Sequence, residues 1–219
     1  MIKDSTCGYL IKSASDLYQR SIENNESDTV NAHAIYILTV SALDSYMNEM
    51  IFTVSIMERS IEQLREKENK TDQDFLYLFL IDEVLAMQKN IMNLTLNEKI
   101  DWFVQKILKR ADNFVPEQIE NIQALIELKD ELVLYKVSQK VPEKMANNKV
   151  LIRVFPFADS KDILDRVWIK LCDTKEGASW ALNTAYNFVK YISHCIQLSH
   201  VLTIFQQART LAENFQKVE

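Results

Sequence analysis

The scarcity of glycine and proline constrains this chain more than any other feature of its sequence. Only two glycines, Gly8 and Gly177, and three prolines occur in 219 residues, whereas average usage is roughly 7% glycine and 5% proline. A β-sheet protein of this length needs a turn at every strand end, and those turns depend on glycine, proline, asparagine and aspartate. Long helices need far fewer turns. The sequence therefore predicts an all-α fold, a multi-helix bundle with long antiparallel helices.

Composition predicts one globular domain that spans residues 1–219. Hydrophobic residues make up 47% and charged residues 26% of the chain, which is an ordinary balance for a globular protein. A chain of this length can bury a sizeable core without disulfides or metals. The formal net charge of −6 repels nucleic acid and anionic lipid, so binding to either would need a local basic patch.

The cysteines and histidines show no spacing typical of a metal site. Cys7, Cys172 and Cys195 are odd in number and far apart, which favours reduced, packed thiols. His194 and His200 are six residues apart and so point to different faces of a helix. Residues 1–5 lack the apolar segment typical of a signal peptide, and no run of about 18 apolar residues occurs in the sequence. We expect a cytoplasmic protein with no cofactor, no metal and no membrane contact.

Apolar residues that recur at three- and four-residue steps predict seven helices. They run from Cys7 to Glu23, from Asp28 or Thr29 to Glu66, from Phe75 to Met92, from Thr95 or Asn97 to Leu108, from Pro116 to about Tyr135, from Ser160 to about Leu171, and from just after Gly177 to about Leu202. Between the helix that begins at Pro116 and the helix that begins at Ser160, residues 136–157 break the pattern with two prolines and the β-branched run from Val150 to Val154. We predict one long loop there, with room for one extended segment, before the C-terminal helices.

Two segments on long helices about eighty residues apart stand out, and in the first of them Ser41 and Asp44 place polar atoms on an otherwise apolar helix. Asp44 and Asn48 are four residues apart and share a helical face, with Glu49 beside them. Lys129 and Asp130 lie in the second segment, which runs from Ile126 to Lys136. Buried polar atoms need partners from another helix. The simpler interpretations are an interhelical hydrogen-bond cluster for the first segment and a solvated face with ordinary salt bridges for the second.

Taken together, these segments resemble the HEPN superfamily (higher eukaryotes and prokaryotes nucleotide-binding). Bacterial members carry a helix like Ala-Leu-Glu-Ala-Tyr-x-Asn-Glu, a later helix like Leu-Arg-Asn-Glu-Leu-Val-His-Tyr, and a final helix that opens with Trp-Ala. The matching positions are Asp44, Tyr46, Asn48 and Glu49, then Leu128 through Tyr135, then Trp180 and Ala181. The resemblance touches residues from about 30 to 200, and it implies a helical bundle that forms a homodimer.

The family's ribonuclease motif consists of an arginine, a polar residue, a few further residues and a histidine, and two copies meet across the dimer interface. It performs a metal-free attack of an RNA 2′-hydroxyl on the neighbouring phosphate. The resemblance implies Lys129 at the arginine position, Asp130 at the polar position and Leu134 at the histidine position. Leucine cannot transfer a proton, and general acid–base catalysis contributes roughly 10²–10⁴-fold. We therefore expect a non-catalytic dimeric interaction or regulatory protein that contacts RNA or a partner protein.

Two other functions compete with this expectation. The chain could be a metal-independent endoribonuclease of toxin or defence type that uses a different proton donor, or a helical protein-binding scaffold unrelated to HEPN. The predicted loop is locally basic, which makes it a candidate phosphate-contacting segment, although a solvated loop is the simpler interpretation. Its cations are Lys136, Lys140, Lys144, Lys149 and Arg153.

Overall fold

The computed structural model describes residues 5–23, 31–56, 58–88, 90, 93–106, 116–133, 142–155 and 172–195. These residues form nine helices and no strand: α1 Thr6–Glu23, α2 Ala32–Ile56, α3 Glu58–Glu66, α4 Asp72–Gln88, α5 Leu96–Lys106, α6 Pro116–Val133, α7 Glu143–Asn147, α8 Lys149–Val154 and α9 Lys175–Cys195. The predicted all-α bundle is confirmed. No helix in these ranges combines the length and the apolar character needed to cross a bilayer.

Helix α2 runs through the centre of the bundle, where α1, α4, α5, α6 and α9 all pack against it. Sequence periodicity predicts one apolar face for this helix, and the residues that the structure buries do lie on one half of its surface, while the other half is partly or fully exposed. The buried residues of α2 include Ile35, Tyr36, Val40, Ala42, Leu43, Tyr46, Met47, Met50 and Ile51.

Local sequence signals set two of the helix starts as predicted. The backbone N–H of Thr95 donates to Glu98 Oε2 at 2.7 Å, and the N–H of Glu98 donates to Thr95 Oγ1 at 3.3 Å. This reciprocal pair is a capping box at the start of α5, and its hydrogen bonds lower the pKa of the Glu98 carboxyl. Pro116 is the first residue of α6, where its missing N–H costs nothing.

Two other helix starts are capped by carboxylates from distant parts of the chain. Glu49 on α2 accepts hydrogen bonds from Ser5 Oγ at 2.7 Å and from the backbone N–H of Cys7 at 2.8 Å, at the start of α1. Asp173 Oδ1 accepts from the backbone N–H of Ala32, the first residue of α2, at 3.1 Å. The predicted caps Asp28 and Thr29 lie outside the described residues. Caps of this kind fix the helices relative to one another as well as satisfying free N–H groups.

The predicted loop over residues 136–157 is wrong for residues 143–154, which form α7 and α8. Asn148 separates the two helices and caps the second one, because its Oδ1 accepts from the backbone N–H groups of Val150 at 3.0 Å and Leu151 at 3.2 Å. Its Nδ2 donates to Glu127 Oε2 on α6 at 2.7 Å. The anchored cap, together with burial of Val150 and Leu151, outweighs the strand preference of the β-branched run.

The prediction that Gly177 precedes the last helix is also wrong, since α9 begins at Lys175 and Gly177 lies in its first turn. A Cβ at this position would lie 2.3 Å from Tyr36 Oη and 2.6 Å from Phe155 Cε1. Tyr36 Oη donates to the carbonyl of Cys172 at 2.6 Å. Glycine is needed here because α9 approaches α2 and Phe155 too closely for any side chain.

The buried side of α9 agrees with the sequence pattern over its described part. Ala181, Ala185, Phe188 and Ile192 are buried, and Trp180 packs half-buried against the core. Ile196, Leu202 and the helix predicted from Ser160 to Leu171 lie outside the described residues.

Candidate functional site

The polar segments of α2 and α6 face each other across one cleft, which we call the α2–α6 cleft. It has a volume of about 580 Å³ and is walled by α2, α6 and the residues that lead into α5. Asp44 on α2 and the neighbouring Lys129 and Asp130 on α6 all line it. The fold therefore brings together the two segments that the sequence singles out, although about eighty residues separate them.

Asp44 is held by a buried lysine that sequence reasoning missed. Lys99 Nζ on α5 donates to Asp44 Oδ1 at 2.6 Å; the Lys99 side chain is 4% exposed and that of Asp44 is 42% exposed. The ammonium group is thus inside the core and the carboxylate faces the cleft. A signal was present in the sequence: Lys99 shares a helical face with Leu96, Ile100 and Phe103, all of them buried.

Lys129 and Asp130, adjacent on α6, form an ion pair with each other at the wall of the cleft. Their side chains are 26% and 48% exposed, so solvent reaches both. A lysine ammonium is a point charge and lacks the planar fork with which arginine binds a phosphate. Leu134 lies outside the described residues, so its role in place of a histidine stays a prediction. None of the described residues that line the cleft is a histidine.

The three polar residues of α2 do not share one partner. Asp44 bonds to α5 and Glu49 bonds to the start of α1, as the simpler structural interpretation expects. Asn48 Oδ1 is buried and has no hydrogen-bond partner in the part of the chain that the structure describes. Asp44 alone of the three lines the cleft.

Neither described thiol is suited to nucleophilic chemistry. Burial, and secondarily the nearby Glu49 carboxylate, raise the pKa of Cys7 to about 12. Burial and the nearby Asp173 carboxylate also raise the pKa of Cys172. Because the thiolate is the nucleophile, both groups are inert near neutral pH. The side chain of Cys195 lies outside the described residues.

Two of the three described cations of the basic segment lie beside carboxylates of α6. Lys144 Nζ is 3.7 Å from Glu127 Oε1, and Arg153 Nη1 is 3.9 Å from Glu117 Oε1. Lys149 is exposed, while Lys136 and Lys140 lie outside the described residues. The carboxylates partly neutralise the charge of the two paired cations, which weakens their attraction for a phosphate. Phosphate contact by this segment stays a prediction.

A second groove, of about 670 Å³, separates α5 and α6 from α7 and α8. Its lining holds more carboxylates than cations, which makes its local field unfavourable for RNA phosphates. The carboxylates are Asp101, Glu120, Glu127, Asp130 and Glu131, and the cations are Lys144 and Lys149.

The described residues offer no group of three or more His, Cys, Asp or Glu side chains that could hold a metal ion. The ring of His33 lies 6.4 Å from that of Tyr36, and the side chain of His194 and all of His200 lie outside the described residues. Trp102 packs half-buried against the core. Trp168 is also outside the described residues.

Comparison of the chain with protein-family models, with curated proteins and with solved structures finds no match. The function is therefore inferred from the geometry of the α2–α6 cleft.

Proposed function

We propose that this chain is a HEPN-like bundle that acts by binding, as a homodimeric interaction or regulatory protein of the cytoplasm without catalytic turnover. The observation that supports this most is the α2–α6 cleft, in which Lys129 is paired with Asp130 and Asp44 with Lys99. Phosphoryl chemistry needs a cation free to clamp the phosphate and a group that can move a proton. In the described lining of the cleft, the one cation, Lys129, is paired with a carboxylate, and both carboxylates, Asp44 and Asp130, are paired with lysines.

The partner that fits this cleft is a protein surface rather than RNA. Ile37 on α2 and Val133 on α6 line the cleft while remaining 38% and 59% exposed. Exposed apolar side chains that line one cleft are typical of protein–protein contact surfaces. The net charge of −6 and the acidic groove between α5, α6, α7 and α8 both repel RNA phosphates. A second copy of this chain would bury the same rim on both protomers, as a twofold contact requires.

Val133→Glu is expected to dissociate the dimer. An uncompensated charge in an interface costs about 2–5 kcal/mol. The middle of that range corresponds to a rise of at least about a hundredfold in the dimer dissociation constant. Light scattering at micromolar concentration measures the mass of the native chain and of the variant. Ile152→Glu is the matched control, because Ile152 on α8 is 40% exposed and does not line the cleft. A native chain with the mass of one protomer would refute the dimer.

The pure protein is expected to leave mixed RNA intact in EDTA, with no cleavage above that of Lys129→Ala. Gel analysis of the RNA after incubation checks this. Site-specific cleavage that Lys129→Ala abolishes would overturn the non-catalytic proposal and favour the metal-independent endoribonuclease.

The double variant Lys129→Arg with Leu134→His tests the HEPN-like arrangement itself. Cleavage of RNA gained by this variant in EDTA supports that arrangement. A variant that remains folded but inactive favours an unrelated scaffold.

A further inference from the structure

The α2–α6 cleft and the acidic groove between α5, α6, α7 and α8 form one continuous surface around α6. Asn97 and Asp130 line both of them. Ile126 lines the cleft, and the next residue, Glu127, lines the groove. Because successive residues of a helix are about 100° apart, the cleft and the groove occupy neighbouring sides of α6. One ligand can therefore contact both at the same time.

The acidic groove selects a ligand by charge. Five carboxylates and two cations line it among the described residues. The side chains of Glu120 and Glu131 form no ion pair with a described cation. A ligand that brings lysine or arginine side chains to this wall of α6 is attracted to carboxylates that no described cation neutralises, whereas an anion is repelled.

The α2–α6 cleft supplies the apolar part of the surface. Val40 and Ile126 line it and are buried, while Ile37 and Val133 line it and are 38% and 59% exposed. A side chain that packs among them removes apolar surface from water, which is the main favourable contribution to most protein–protein contacts. The acidic groove alone would accept any cation. The adjoining cleft narrows the ligand to one that carries apolar side chains beside its cations.

The cleft and the groove both extend along α6 for more than one helical turn. Residues 126–133 of α6 contribute to the cleft, and residues 120–131 contribute to the groove. A ligand that follows α6 must therefore present an apolar stripe and a basic stripe side by side. An amphipathic helix has this form, because its residues three and four apart share one face.

We propose that this surface binds a basic amphipathic helix of another protein. Apolar side chains of the helix enter the α2–α6 cleft, and its lysine or arginine side chains pair with Glu120 and Glu131 in the acidic groove. The inference rests on the proposed function, since it names a partner for the same cleft. The helix and a second copy of the chain need the same rim, so the helix separates the two protomers when it binds.

The test measures the fluorescence anisotropy of a labelled peptide during titration with the full chain. The peptide has about 14 residues, roughly four helical turns, with leucine at every third or fourth position, lysine directly after each leucine, and alanine and glutamine elsewhere. We expect saturable binding at micromolar protein. Replacing the leucines by serine, or the lysines by glutamine, should in each case weaken binding at least about tenfold.

Variants of the chain then locate the surface. The double variant Glu120→Gln with Glu131→Gln should raise the peptide dissociation constant about fivefold, since two exposed ion pairs together contribute about that factor. Val133→Ser should raise it at least about threefold through the lost apolar contact. Glu62→Gln with Glu66→Gln is the matched control and should leave binding unchanged. It makes the same change in net charge at two exposed residues of α3 that line neither the cleft nor the groove.

Three results would overturn the helix site: no saturable binding, binding that the leucine-free peptide retains, or an equal effect of the two pairs of glutamate variants. Binding of a labelled single-stranded RNA oligonucleotide that Val133→Ser weakens would assign the surface to a different class of ligand and would also overturn it.

Light scattering separates this inference from the proposed function. Saturating peptide should lower the mass of the native chain from that of two protomers to that of one protomer with its peptide, and an intact dimer at saturation would show that the helix does not occupy the rim. A native chain with the mass of one protomer before peptide is added refutes the dimer alone, and the titration still decides the helix site. A dimer that binds no peptide refutes the helix site and leaves the proposed function standing.

Discussion

Gly177→Ala is expected to lower the free energy of unfolding by about 2–3 kcal/mol, although alanine is the better helix former. Forcing extra volume into a packed core costs about 1–3 kcal/mol. Here the new Cβ would lie 2.3 Å from Tyr36 Oη, so the hydrogen bond from that hydroxyl to the Cys172 carbonyl is lost as well, at about 1 kcal/mol. The gain in helix propensity offsets only about 0.5–1 kcal/mol of this.

Urea denaturation of the native chain and the variant measures this effect. Tyr36→Phe provides the internal control, because it removes the oxygen atom nearest to the new Cβ. In the double variant the cost of Gly177→Ala should fall by about 1 kcal/mol, which is a typical coupling between residues in contact. An increase in stability for Gly177→Ala, as helix propensity alone predicts, would contradict the close approach of α9 to α2.

Asp44→Ala is expected to destabilise the protein by about 2 kcal/mol. The substitution leaves the ammonium group of Lys99 buried without its carboxylate, since Lys99 is 4% exposed and bonds to Asp44 at 2.6 Å. Breaking a fully buried pair costs about 3–5 kcal/mol, whereas exposed pairs contribute about 0–1 kcal/mol. The 42% exposure of Asp44 places this pair between those limits, because solvent screens its outer half.

Lys99→Met is the matched comparison, and its effect should be much smaller, within about 1 kcal/mol. It replaces a buried cation by an apolar side chain of similar length, and the remaining carboxylate of Asp44 is solvated. Asp44→Ala combined with Lys99→Met should therefore recover most of the stability lost in Asp44→Ala alone. Urea midpoints of the four proteins form a double-mutant cycle. Equal costs for the two single variants would mean that Lys99 is not buried as the structure places it.

Part of the candidate site was predictable from the sequence. Asp44 stands out because it is polar in an otherwise apolar helix, and Lys129 and Asp130 stand out through the family resemblance. The fold does place these three residues in one cleft. Lys99 was missed, because a single lysine beside buried residues is usually taken to reach solvent.

The sequence by itself determined the all-α class, the starts of α5 and α6, and the buried side of α9. Those features follow from scarce glycine and proline, from a threonine–glutamate cap and a first-turn proline, and from apolar spacing, all of which act within a few residues. Only the tertiary structure decided that residues 149–154 are helical, that Gly177 lies inside a helix, and that α1 and α2 are capped by Glu49 and Asp173. Each of these depends on a neighbour far away in the chain, whose contact energy exceeds the local preference of less than about 1 kcal/mol per residue.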